Sequence, residues 1–302
     1  MDDRVISGLL RATENAAIAA SEWVGRGDKK AADAAAVVAM REAMNDIAFE
    51  GTVVIGEGER DEAPMLFIGE RLGKGGPAVD IAVDPLEGTN LTARGDYNSI
   101  TVLAVSPHGT LLHAPDTYME KIAVGPKVGR SVSLSKSVAE NINAAAKALG
   151  KPVDDIVVTV LDRERHAQLI DEIRKAGARV KLITDGDIYG AISACTGGCD
   201  ILMGTGAAPE GVIAASAVKS MGGYMEGMLK FRNEEERERA AKYGLKDAGK
   251  KMTMDDMVKS DESAFIATGV TQGVMLDGVK GKETHSVIID KSGTRFIRNA
   301  RH

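Results

Sequence analysis

Apolar residues recur at helical spacing from the start of the chain. Ile6, Leu9, Leu10, Thr13, Ala16, Ala17, Ala20 and Trp23 share one face, and Gly25 and Gly27 close the segment. A second stripe, Val37, Met40, Met44 and Ile47, predicts a helix over about 29–49. One turn before Val37 the same stripe holds Asp33. A buried carboxylate without a partner is costly, so Asp33 either reaches water near the helix end or holds a cation. The pattern then shifts to extended runs at 52–55, 79–83, 99–105, 109–113 and 118–124. The runs at 99–105 and 109–113 predict a hairpin. Pro85 is expected to stop the strand that ends on Asp84. The first half therefore predicts two helices against an antiparallel or mixed sheet.

The rhythm changes near Gly150-Lys151-Pro152. Strands at 156–161, 180–184 and 201–203 alternate with helices at 166–175, 188–194 and from about Pro209 to Met221. This succession predicts parallel strands with right-handed crossovers. The stretch 232–251 carries dense mixed charge and reads as an exposed helix or connection, and no chemistry is assigned to it. Runs at 287–289 and 294–297 predict a closing hairpin around Lys291-Ser292-Gly293. The expected fold class is α/β, with an α+β part at 1–149 and a doubly wound α/β part at 150–302.

Composition narrows the function. The 302 residues, 44% apolar and 27% charged, suit a globular protein with a sizeable core. A net charge of −6 and 4% aromatics give no basic field and no stacking ladder, so neither nucleic acid nor an anionic membrane is expected as a partner. The start, Met1-Asp2-Asp3-Arg4, is no signal peptide, and no stretch approaches the roughly 18–20 apolar residues of a membrane span. A cytoplasmic location is expected. Cys195 and Cys199 lack zinc-site spacing and read as buried thiols, while His108, His113, His166 and His285 read as packing or surface residues.

Polar groups collect after the strands. Glu57 follows 52–55; Asp84-Pro85-Leu86-Glu87-Gly88-Thr89 follows 79–83; Asp162-Arg163-Glu164-Arg165 follows 156–161; Asp185-Gly186-Asp187 follows 180–184; and Glu210 follows 201–203 in the first turn of a helix. In an open α/β sheet, ligands sit beyond these carboxyl ends. Asp84 and Glu87 either cap the next helix or offer hard oxygen ligands beside a turn that suits a phosphate. If Glu57, Asp84, Glu87 and Glu210 converge, each pair about 4 Å apart repels by about 4 kcal/mol at an effective dielectric near 20. Mg²⁺ or Mn²⁺ would relieve that repulsion, and Arg163 and Arg165 have the fork geometry for a phosphate. Asp185-Gly186-Asp187 reads either as the aspartate pair of a haloacid-dehalogenase-type phosphatase or as a clamp on sugar hydroxyls.

These motifs, with Val54-Ile55-Gly56-Glu57-Gly58-Glu59-Arg60-Asp61, Ala114-Pro115-Asp116-Thr117-Tyr118-Met119 and Ala208-Pro209-Glu210-Gly211, occur in order through most of the chain. The chain thereby resembles the class II fructose-1,6-bisphosphatases, within the lithium-sensitive, metal-dependent sugar phosphatase superfamily. The resemblance implies a layered α-β-α-β-α sandwich and hydrolysis of fructose 1,6-bisphosphate with Mn²⁺ or Mg²⁺, in gluconeogenesis or a related pathway. It implies metal ligation by Asp33, Glu57, Asp84, Glu87 and Glu210, and contact of Glu87, Gly88 and Thr89 with the scissile phosphate. Tyr118, Arg163, Glu164, Arg165, Asp185, Gly186 and Asp187 would hold the sugar and the other phosphate. Thr89, supported by Asp61, would orient or deprotonate the attacking water. A homo-oligomer, dimer or tetramer, is expected. Alternatives are a second activity on sedoheptulose 1,7-bisphosphate, an aspartyl-phosphate mechanism at Asp185, or a non-catalytic sugar-phosphate sensor. Ala207 departs from the glycine often found before Ala-Pro-Glu in relatives.

Overall fold

Asp2 accepts a hydrogen bond from the Arg4 amide and starts helix α1 (Asp3–Ser21); Asp28 does the same with Ala31 for α2 (Lys29–Asn45). This computed structural model describes residues 1–57, 65–245, 247 and 249–300. The chain continues through β1 (Glu50–Ile55), β2 (Arg71–Leu72), β3 (Ala78–Glu87), α3 (Thr89–Arg94) and β4 (Ile100–Pro107). Next come β5 (Tyr118–Val124), α4 (Val138–Leu149), β6 (Val157–Leu161), α5 (Ala167–Lys175), β7 (Arg179–Ile183), α6 (Asp187–Thr196), β8 (Ile201–Ala207) and α7 (Ala208–Ser220). The last described elements are β9 (Tyr224–Lys230), α8 (Glu234–Lys242), β10 (Lys251–Thr253), α9 (Met254–Met257), β11 (Ala264–Gly269), β12 (Glu283–Asp290) and β13 (Gly293–Ala300).

Two compact units result. The first takes the chain up to Leu111 and again from Ser260, and the second is Leu112–Lys259. The break expected near residue 150 thus falls inside the second unit, and the closing hairpin belongs with the N-terminal strands.

The first unit holds a mixed sheet in the order β13-β12-β11-β4-β3-β1-β2, in which only β1 and β3 run parallel. Alternate residues Ile81 and Val83 of β3, Leu103 and Val105 of β4 and Ile266 of β11 pack against Leu9, Ala16, Met40 and Met44 of the helices. Buried polar groups bind α1 to the returning strands: Thr13 meets Thr268, and Glu14 accepts from Thr284 and Asn299. The expected hairpin at 109–113 is absent. There Asp80 accepts from the amides of Thr110 and Leu111, while β4 pairs with β3 and β11 instead.

The second unit holds a sheet in the order β10-β9-β5-β8-β6-β7. Strands β6, β7 and β8 are parallel as the alternation predicts, and β5, β9 and β10 join antiparallel. Ile142 and Ala145 of α4 and Ile170 and Ile173 of α5 pack on one face through Ile122, Val158, Val160 and Met203. Helices α6 and α7 pack against each other and the same strands. Pro209 opens α7 as expected, since its missing N–H costs nothing there.

Candidate active site

Strand β3 does not end at Pro85. It runs on to Glu87, and its pairing with β4 shifts register between Asp84, opposite Val102, and Glu87, opposite Ile100. Pro85 and Leu86 together oppose Thr101, which is a bulge, one of the few places a sheet tolerates proline. The consequence is chemical. Residues three apart on a regular strand face opposite ways, but the extra residue turns Asp84 and Glu87 to one side, where their carboxylate oxygens lie within 4.8 Å. Asp84 Oδ1 accepts from the Leu86 amide at 3.0 Å. Glu87 is 6% exposed, and its carbonyl accepts from Ser99 Oγ, which also meets Thr92 Oγ1 at 2.6 Å.

Gly88 turns the chain at φ 85°, ψ 47° between β3 and α3. A Cβ there would sit 2.8 Å from Leu91 Cδ1, so the corner requires glycine. Thr89 follows as the first residue of α3. Asp33 stands half-buried on α2, where burial raises its carboxyl above the ordinary range. Glu57 follows β1 and donates its amide to Leu66 O at 2.9 Å. Neither Asp33 nor Glu57 comes within 4.8 Å of both Asp84 and Glu87. Asp61 lies outside the described residues, as do Gly58, Glu59 and Arg60 of the same motif. Two carboxylates on one side of a bulge form a donor set that fits a hard divalent cation.

The second unit gathers the residues expected to hold the sugar. Tyr118 begins β5, with the Arg165 guanidinium 4.7 Å and the Arg232 guanidinium 4.6 Å from its ring centre. Arg165 donates from Nε and Nη2 to Thr205 O at 3.1 and 2.8 Å. Arg163 donates to Asp162 O and lies 4.0 Å from Asp185. Glu164 is exposed, and Gly186 adopts a left-handed conformation just before Asp187 opens α6. Glu210 is half-buried in the first turn of α7. Ala207 sits at φ −73°, ψ 147°, which any L residue adopts, so the departure from glycine imposes no strain.

Lys121, and His166, which the sequence leaves as a packing or surface residue, both organise this end. Lys121 is 2% exposed and donates to Asp187 Oδ2 at 2.6 Å and to Ala207 O at 2.7 Å. One ammonium therefore ties the Asp185-Gly186-Asp187 turn to the residue before α7. The fit is tight: a Cβ on Gly206 would fall 2.0 Å from Asp187 Oδ2. The signal was present in the strand pattern, which puts Lys121 on the apolar side between Met119 and Ala123. His166 donates from Nδ1 to Leu161 O at 2.7 Å and accepts at Nε2 from the Thr205 amide at 2.8 Å. It thus fixes the Arg163–Arg165 turn to β8, with no local sequence signal. Cys199 is buried as expected, whereas Cys195 is only half-buried. Burial pushes Cys195 up to about 12, and Cys199 is raised by the same cause.

Desolvation lowers the His166 pKa, so the folded state keeps its ring neutral where the unfolded ring, near pH 6.5, takes a proton. The unfolded state then binds more protons, and stability falls as pH drops below about 6.5 toward the folded value. Urea unfolding between pH 5 and 8 should show this slope, up to about 1.4 kcal/mol per pH unit from this one group. His166→Gln should lose it. An unchanged slope in the variant would assign the pH dependence to other groups.

The family is shown by comparison with known proteins. The profile of the bacterial fructose-1,6-bisphosphatases, glpX-encoded, matches residues 3–302, and the chain belongs to this family. Fructose-1,6-bisphosphatase 1 class 2 of Escherichia coli (strain K12) is 45% identical over 307 aligned positions, covering 95% of this chain and 91% of its own length. The class 2 fructose-1,6-bisphosphatase of Shigella flexneri matches with the same figures. Among the described residues, no helix is long and apolar enough to cross a membrane.

Proposed function

We propose that this chain hydrolyses fructose 1,6-bisphosphate to fructose 6-phosphate and phosphate with the residues assigned above. Membership of the family carries the reaction; the bulge that turns Asp84 and Glu87 to one side is the observation that supports the site. When bound by Asp33, Glu57, Asp84, Glu87 and Glu210, Mn²⁺ or Mg²⁺ supplies Lewis-acid polarisation and a more acidic water. Glu87, Gly88 and Thr89 position the 1-phosphate. Thr89, supported by Asp61, orients the water whose oxygen joins phosphorus as the bond to the C1 oxygen breaks. The water proton leaves toward Thr89 and Asp61, and the departing C1 oxygen takes up a proton from solvent water. Tyr118, Arg163, Glu164, Arg165, Asp185, Gly186 and Asp187 hold the sugar and the 6-phosphate. The reading extends to a cytoplasmic homo-oligomer, serving gluconeogenesis or a related sugar-phosphate pathway.

Phosphate release from fructose 1,6-bisphosphate with Mn²⁺ or Mg²⁺, and none above background with EDTA, tests this reading. Equal rates with and without chelator would sink it. Thr89→Ala should lower turnover by about 10²–10⁴-fold with little change in substrate affinity, the range for a positioned proton-transfer group. Combining it with Asp61→Asn should cost much less than the product of the two losses, because groups acting as a unit are not additive. A raised Michaelis constant with unchanged turnover would reduce the Thr89 hydroxyl to a phosphate contact.

A further inference from the structure

Arg232 lies in the charged stretch that the sequence gives no chemistry, yet it is built into the Tyr118 end. Its backbone amide donates to Glu236 Oε2 at 2.8 Å, and its Nε and Nη2 are both directed at Glu236. Glu236 is 2% exposed and also accepts from Thr117 Oγ1 at 2.7 Å, beside Tyr118. Burial pushes the Glu236 carboxyl up, but the Arg232 and Thr117 hydrogen bonds outweigh it and hold it below the ordinary range. Asn233 caps the following helix through the Glu236 amide. The backbone and the guanidinium of Arg232 are therefore both held by Glu236, which fixes the orientation that recognition by a planar fork requires.

The charge balance around Tyr118 is uneven. Two guanidiniums lie against one ring, and among the described residues only Arg232 of the two has a carboxylate of its own, because the Arg165 Nε and Nη2 donors go to the neutral Thr205 carbonyl. Of the five N–H donors of Arg232, those on Nε and Nη2 serve Glu236, which leaves the Nη1 pair of its inventory for another acceptor. The side chain is 35% exposed, so an anion can reach it. We propose that Arg232 is a further specificity-determining residue that, with Arg165 at the same Tyr118 ring, binds the phosphate that is not hydrolysed. This rests on the bisphosphatase reading, which assigns that phosphate to the Tyr118 end.

Arg232→Gln tests it, because glutamine keeps a donor for the buried Glu236 while removing the charge; Arg232→Lys keeps the charge and removes the fork. In Arg232→Gln the KM for fructose 1,6-bisphosphate should rise about 10–100-fold, the scale of a lost hydrogen bond to a charged group. The kcat and KM for fructose 1-phosphate, which lacks the distal group, should stay within about twofold, as expected when only uniform binding is removed. Arg232→Lys should fall between the two. Calorimetric titration with fructose 6-phosphate should show the same 10–100-fold weakening. Equal losses on both substrates, or unchanged fructose 6-phosphate affinity in Arg232→Gln, would overturn the assignment. If the parent protein hydrolyses no fructose 1,6-bisphosphate the bisphosphatase reading fails instead, and the titration still decides whether Arg232 binds the phosphate.

Discussion

Asp84→Asn lowers turnover on fructose 1,6-bisphosphate by about 10²–10³-fold or more, the loss that follows removal of a preorganised electrostatic stabiliser. The substitution is the mildest available. Asn keeps an Oδ1 to accept from the Leu86 amide, so the bulge that aims this position survives. What disappears is one negative charge within 4.8 Å of Glu87. At an effective dielectric of 20 that pair repels by about 3 kcal/mol, reduced by the water that reaches half-exposed Asp84. In EDTA the variant should therefore melt at or above the temperature of the parent, while saturating Mn²⁺ or Mg²⁺ stabilises the parent more. Turnover assays and melting curves with and without metal check both halves. Near-native turnover, or a lower melting temperature in EDTA, would remove Asp84 from the proposed metal site.

The second large effect is on stability. Lys121→Met should cost about 3–5 kcal/mol, because it leaves the nearly buried Asp187 carboxylate without its countercharge. The Ala207 carbonyl loses a donor as well. Lys121→Met combined with Asp187→Asn should recover much of the loss, since no lone charge then remains inside. Urea unfolding of the two single variants and the double variant measures this. If Lys121→Met costs less than about 1 kcal/mol, the range of an exposed ion pair, the pair is not the structural bridge described here. The sugar end should suffer alongside stability, because Asp187 stands in the turn proposed to clamp the substrate.

The two units differ in how much of them local sequence discloses. Periodicity locates α1 and α2 and the β6-α5-β7-α6-β8-α7 succession to within a few residues, because each rests on contacts between residues close in the chain. Asp-Pro-Leu-Glu-Gly-Thr, Asp-Arg-Glu-Arg and Asp-Gly-Asp likewise stand out as candidate ligand groups, since in an α/β sheet ligands sit beyond the carboxyl ends of the strands. The mixed-charge stretch 232–251 holds the exposed helix expected there, with one exception. Its composition is that of a solvated helix, and most of α8 is one, yet Glu236 turns inward to a partner that only the fold supplies.

Three decisions lay beyond any local reading. Proline after Asp84 argues for a strand end, but β4 pairs on both sides of it and absorbs the extra residue as a bulge. The strand after Ser260 returns to β4, and β12 and β13 follow it, so the first unit is closed by the far end of the chain. Lys121, His166 and Arg232 gain their roles from partners on other elements. The sequence by itself determined α1, α2 and the β6-α5-β7-α6-β8-α7 succession and which residue types follow their strands, because propensity and periodicity are properties of near neighbours. The tertiary structure alone decided the bulge that turns two carboxylates to one side and the buried pair that ties the Asp187 turn to β8, because register and burial depend on strands and side chains brought together from distant parts of the chain.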